Sequence, residues 1–155
     1  MKRFFSFIIV ALMLCLICSC SSQSQSVAPT QNADSDIRKL IVERLAYSAL
    51  DCAGWCSTYN NSMVNGYDIE MPRLRVAASL EAMTQLFVVL DGEVILERRT
   101  PQGTLWSLTS TFITDPEYYE PLLDELSEIF LLIEQDYSNM NTYERIDDML
   151  EYFKG

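Results

Sequence analysis

From Ile37 to Phe153 the apolar residues return every three or four positions, and this spacing constrains the fold more than any other feature of the chain. A strand sends alternate residues to one face, whereas a spacing of three and four lines one side of an α-helix. Ile37, Ile41, Leu45, Ser48, Cys52, Trp55, Tyr59 and Met63 form the first row, opened by the cap cluster Asp34-Ser35-Asp36 and closed by Asn65-Gly66. Pro72 marks the first turn of a second helix, with Val76, Leu80, Met83, Phe87, Leu90 and Val94 as its seam. Thr100-Pro101 opens a third piece, where Leu105, Leu108 and Phe112 share a face with Trp106 beside them. Asp115-Pro116 starts another helix, whose buried stripe is Leu122, Leu126, Ile129, Phe130, Ile133 and Tyr137. Asn141 with Glu144 three residues on predicts a capped terminal helix, with Tyr143, Ile146, Met149, Leu150 and Phe153 on its inner face.

The sequence therefore predicts an all-α domain over residues 34–155, a small bundle of four to five helices. One stretch competes. Asp91-Gly92 lies between the β-branched runs Val88-Val89 and Val94-Ile95, a strong hairpin signal, so the alternative is an α+β domain with a hairpin over residues 86–110. The run at 86–90 does not alternate as a half-exposed strand does. Gly92 also falls opposite the seam of a helix, where it costs about 1 kcal/mol but blocks no packing. These two points favour the helix.

Ahead of the domain, Lys2 and Arg3 precede an apolar run of 14 residues, Phe4 to Ile17. A bilayer span takes about 20 apolar residues, so this run fits a signal-peptide core. It ends in Leu16-Ile17-Cys18-Ser19-Cys20, with an aliphatic residue three positions before Cys20 and a small one directly before it. Cys18 and Cys15 fit that pattern less well, because Ile17 and Met13-Leu14 stand before them. The stretch resembles the cleavage site of a bacterial lipoprotein. The resemblance implies a signal peptide over 1–19 and a lipid-carrying Cys20, with a diacylglyceryl thioether and an acylated amino group. More than one acyl chain gives stable anchoring. Ser21, which is not Asp, implies the outer membrane where the envelope has two membranes. Residues 20–33 read as the lipidated cysteine and a flexible Ser/Gln-rich tether, with little to bury and an r.m.s. reach of roughly 20 Å.

Charge and composition narrow the partners. The chain carries 11 Lys plus Arg against 22 Asp plus Glu. Without Lys2 and Arg3 the balance is 9 against 22, or −13. So anionic a surface repels phosphate backbones, which argues against nucleic acid. It argues equally against electrostatic attachment to anionic headgroups, leaving the bilayer partner to the acyl chains on Cys20. No histidine occurs, which excludes a Ser-His-Asp triad, a Cys-His dyad and His-ligated zinc or haem. Five isolated glycines form no phosphate-cradling loop. No cofactor and no metal site is implied, and no catalytic residue stands out.

Three constellations remain. Cys52 and Cys56 are a candidate disulfide, favoured by an oxidising envelope. Residues four apart on a helix hold their Cβ atoms about 5–6 Å apart, whereas a disulfide wants about 3.8 Å. The bridge therefore requires a break, which Gly54 offers. As a redox pair the spacing is CxxxC rather than CxxC, and no βαβ pattern surrounds it. Glu117, Glu120, Asp124 and Glu128 share one helical face opposite the buried stripe, with Leu131 close by. This is a solvated face or a contact surface for a basic partner. Asp136 to Asp147 has the length of an EF-hand loop, but Met140, Asn141 and Asp147 stand where a ligand, Gly and Glu are needed.

The functional expectation is a membrane-anchored envelope lipoprotein acting as a non-catalytic interaction or accessory module with an envelope protein partner. Its alternatives are an acidic inhibitor or immunity-type lipoprotein that captures a basic enzyme or toxin, and a binder of an apolar small molecule between helices.

Overall fold

The computed structural model describes residues 31–97 and 99–152. It is a bundle of five α-helices: α1 Gln31–Asn65, α2 Glu70–Asp91, α3 Pro101–Thr114, α4 Leu123–Gln135 and α5 Met140–Tyr152. Two 3₁₀ turns, Pro116–Tyr118 and Glu120–Leu122, join α3 to α4. Among the described residues no strand forms.

The 35 residues of α1 are its spine. The helix begins at Gln31, inside the stretch 20–33 expected to be tether, and residues 20–30 lie outside the described ones. Gly54 does not break it, and Gly66 ends it in the left-handed region at φ 69. Leu45, Ala49, Cys52, Ala53, Cys56 and Tyr59 are buried. They cover more of the helix than one narrow row, because α1 is flanked on two sides. The Cys52 thiol points at the Val76 carbonyl of α2 at 4.0 Å, and Ser79 of α2 donates to Asp51 at 2.9 Å. On the other side Ser127 of α4 donates to the Ala53 carbonyl at 3.0 Å. Ile37, expected in the buried row, is more than half exposed. No described side chain of α1 ahead of Leu45 is fully buried, so these turns overhang the bundle.

The hairpin over 86–110 does not form. Gly92 is the C-cap of α2, left-handed at φ 76, with its N–H bonded to the Val88 carbonyl at 3.0 Å. Neither a helix interior nor a hairpin turn describes it: the Asp-Gly signal is a helix stop. Val94, expected in the seam of α2, lies beyond that stop and is exposed. The start of the loop that follows is held by one buried side chain. Fully buried Gln102 accepts from the Ile95 N–H at 2.8 Å and donates to Asp91 at 2.7 Å and to the Glu93 carbonyl at 3.0 Å. Backbone groups that a strand would have paired with a neighbour are paired with Gln102 instead. The Thr100 hydroxyl caps α3 by accepting from the Gly103 N–H at 3.1 Å. A Cβ on Gly103 would overlap the Glu97 carbonyl, so the loop crosses the start of α3 where only glycine fits.

The helix expected to begin at Pro116 is delayed to Leu123. Pro121 has no N–H to donate back to Glu117, and its ring would strike that carbonyl, so the segment folds as short 3₁₀ turns first. The last helix starts a residue before the Asn141 cap expected for it. Asn139 supplies the acceptor, taking the Asn141 N–H at 3.2 Å.

The core runs from Leu45 to Leu150 and has an aromatic cluster towards each end of α3. Phe112 meets Tyr59 edge-on at 6.0 Å and stacks on Tyr119 at 5.7 Å. Phe87 meets Tyr143 edge-on at 5.8 Å and Tyr137 at 6.2 Å. Such pairs add about 0.5–1.5 kcal/mol beyond the area they bury.

Gln102→Leu leaves the Ile95 N–H and the Glu93 carbonyl without their partner. It is expected to cost about 1–3 kcal/mol in urea unfolding. Gly103→Ala is expected to destabilise comparably, whereas Gly54→Ala, where a Cβ meets nothing within 4 Å, is expected to stabilise α1 by about 0.5–1 kcal/mol. Equal effects at the two glycines would contradict the loop crossing.

Candidate functional site

Cys20, the predicted lipid-bearing residue, lies outside the described residues. The remaining candidates fall on three surfaces and one buried pair.

Cys52 and Cys56 are buried free thiols in the middle of an unbroken helix. The candidate bridge is not formed. A continuous helix keeps the two Cβ atoms too far apart, and Gly54 stays helical because α2 and α4 hold the turns on both sides of it. Burial pushes the Cys52 thiol well above its ordinary range, reinforced by the Cys56 thiol and the Asp51 carboxylate nearby. A thiol held protonated and out of solvent is a poor nucleophile, so the pair serves as small apolar packing.

The four carboxylates of the predicted acidic face do not share one helical face. Glu117 and Glu120 belong to the two 3₁₀ turns and only Asp124 and Glu128 to α4. Two of them are tied to α1 rather than turned away from the core. Tyr59 donates to Glu120 at 3.1 Å, and Asn60 donates to Asp124 at 2.7 Å. Glu117 and Glu128 are exposed beside them, as is Leu131. The result is an acidic edge along the α1–α4 junction, with two of its carboxylates fixed in position. Tyr59 itself is buried, and desolvation with the Glu120 hydrogen bond pushes its phenol up to about 12.

A surface that periodicity alone did not single out lies on α2. Met71, Leu74 and Val89 are each more than half exposed, and Ala78 and Ala82 are exposed between them. At 100° per residue these five positions fall within an arc of about 80°. Arg75 and Glu81 flank the stripe, Gln85 falls within it, and the Arg75 guanidinium lies over the ring of Trp55 at 5.7 Å. Val64 and Tyr67 add exposed apolar area just before the helix. The sequence signal was present, since α2 is apolar on nearly every side, but only the packing shows which side stays open.

The third surface is a small concavity of about 140 Å³ lined by Arg99, Glu144, Asp147 and Asp148. Its chemistry is structural. Asp147 accepts from the Arg99 N–H at 2.8 Å and from the Thr104 hydroxyl at 3.0 Å, which ties α5 to the loop and to α3. Arg99 takes a left-handed φ of 68 to make that contact. Residues 140–147 are helical, so no calcium loop forms from Asp136 to Asp147.

Among the described residues no group of three or more His, Cys, Asp or Glu side chains could hold a metal ion, and no helix is long and apolar enough to cross a membrane. No protein-family model, no curated protein and no solved structure matches the chain.

In the native protein Cys52 and Cys56 are expected to resist thiol reagents and to react together on unfolding. Rapid native labelling would contradict their burial. The Tyr59 phenol sets a pH dependence. Its folded value of about 12 lies above the unfolded value of about 10. The folded state therefore holds the proton more tightly, and its stabilisation is complete below pH 10 and lost as pH rises towards 12. Tyr59→Phe is expected to flatten the fall of unfolding free energy over that window, read by urea titrations at stepped pH.

Proposed function

We propose that this chain is a lipid-anchored protein of the cell envelope whose helical domain is a non-catalytic interaction or accessory module. The observation that carries this reading is the outward stripe of α2. Exposed apolar area gathered along one helix face and rimmed by charge marks sites where a protein partner docks. Ala78 and Ala82 at its centre allow a second backbone to approach closely, and Met71, Leu74 and Val89 supply the apolar ends. The lipoprotein-like leader, with Cys20 as its anchor, supports placement at the envelope and the outer membrane where two membranes exist.

The acidic edge supports a second reading, an inhibitor or immunity-type lipoprotein that captures a basic enzyme or toxin. Glu120 and Asp124 are held in place by Tyr59 and Asn60, which lowers the entropy lost on binding a cation. The concavity beside Arg99 gives no support to binding of an apolar small molecule: it is charged and, at about 140 Å³, below the usual several hundred Å³ of a ligand pocket.

Photoreactive residues placed at Leu74 and Val89, and separately at Glu117 and Glu128, distinguish the two readings in intact cells. The first reading expects one discrete protein adduct from α2 that persists in high salt. An adduct confined to the acidic edge and lost with salt supports the second, because charge steering is screened beyond about 10 Å at 0.1 M. Absence of a discrete adduct from either surface would count against both.

A further inference from the structure

The outward stripe of α2 combines a narrow uncharged row with flanks of opposite sign. Met71, Leu74, Ala78, Ala82, Gln85 and Val89 lie within an arc of about 80°, and none of them is charged. The row runs about 27 Å from Met71 to Val89. Ala78 and Ala82 stand one turn apart at its middle, so a second helix backbone can approach closely there. About 60° to either side of the row's centre, Arg75 stands on one flank and Glu81 on the other, with Glu70 just beyond it. Glu70 is already bonded to Arg73 at 2.7 Å, whereas Glu81 meets the Gln85 amide at 3.4 Å. Most of the negative charge lies elsewhere. Glu70, Glu81 and Asp91 against Arg73 and Arg75 leave α2 with −1, while Asp124, Glu125, Glu128 and Glu134 give α4 −4.

We infer that this row is the contact face of a homodimer, in which the α2 helices of two copies lie side by side and point the same way. The inference rests on the reading of the chain as a lipid-anchored interaction module, and it names the partner as a second copy. Symmetry decides the orientation. In an antiparallel pair each flank faces its own equivalent, so acid meets acid and Arg75 meets Arg75. In a parallel pair opposite flanks meet, and Arg75 of each copy faces Glu81 and Glu70 of the other, as flank charges do in a coiled coil. Those two acids lie about 9 and 7.5 Å from Arg75 along the axis, within reach of two long side chains. The anchor selects the same orientation. A two-fold axis along α2 sends both chain starts to one side, where a single bilayer holds both Cys20 residues; an antiparallel pair sends them to opposite sides. Area sets the regime. A footprint of about 27 by 10 Å on each copy buries on the order of 500–800 Å² in total, below the about 1,200 Å² of a stable free-standing interface. Two chains held on one membrane meet at a far higher effective concentration, which offsets that deficit. A basic protein suits the acidic edge and not this row, which offers it no carboxylate.

The test places single cysteines at the two ends of the row, in the mature chain in its native membrane. An intact mass first establishes the acyl groups on Cys20, and Cys52 and Cys56 are shielded by burial. Under a mild thiol oxidant, Met71→Cys is expected to bond to Met71→Cys of a second copy, and Val89→Cys to Val89→Cys, doubling the mass. Glu128→Cys, on the acidic edge, is expected to stay monomeric. Adding Arg75→Glu is expected to lower the dimer yield about fivefold, and adding Glu81→Arg as well to restore it. Bonding of Met71→Cys on one tagged chain to Val89→Cys on another, in place of like with like, overturns the parallel arrangement. A bond to a different protein overturns the homodimer and leaves the interaction-module reading standing. Monomer throughout, with the acyl mass present, overturns the homodimer and α2 as a docking face together. A mass without acyl groups overturns the anchor on which the orientation depends.

Discussion

The rest of the bundle depends on the central turns of α1, where one helix must satisfy neighbours on two sides at once. Leu45 through Tyr59 pack against α2 through Cys52 and Asp51, and against α4 through Ala53 and Ser57. Side chains this small at Ala49, Cys52, Ala53 and Cys56 let both partners approach closely. Dense packing of that kind penalises any change in volume, and it also explains why Gly54 does not become a break. A helix interior flanked on two sides has more to lose by unwinding than one glycine costs. The same constraint settles the thiols. Held in register on a regular helix, Cys52 and Cys56 are neighbours in the core and not partners in a bond.

Around that spine the connections are fixed by single polar side chains rather than by repeated structure. Gln102 pairs the backbone of the loop after α2, Asp147 pairs Arg99 and Thr104, and Ser127 reaches the Ala53 carbonyl. Gln102 and Asp147 pair backbone groups that the loop leaves open, and Ser127 adds a second bond to a carbonyl inside α1. This gives the molecule an asymmetric division of labour. Apolar rows bring the helices together, polar contacts determine how the loops close, and the outward stripe of α2 is left for contacts beyond the domain.

Much of the candidate chemistry was legible in the chain, but its geometry was not. The acidic residues from Glu117 to Glu128 were visible, yet a wheel drawn through them assumed a continuous helix that Pro121 interrupts. With that interruption Glu120 and Asp124 turn towards Tyr59 and Asn60. The stripe on α2 was hidden for the opposite reason. Spacing marks the inward seam of that helix, but apolar residues occupy so much of the remainder that it does not show which other side stays open.

The sequence by itself determined that the domain is built mainly of helices, because spacing of three and four buries a continuous face on a helix and not on a strand. It also determined which chemistries are absent from a chain without histidine, and it located the ends of α1, α2 and α3 through Gly66, Pro72 and Thr100-Pro101. Tertiary structure alone decided the rest. Whether Asp91-Gly92 turns a hairpin or stops a helix depends on Gln102, eleven residues away from Asp91, reaching back to the loop. Whether Ile37 is core or surface depends on how far the other helices extend beside α1. Both are questions about partners distant in the chain, and local periodicity carries no record of a partner's length or reach.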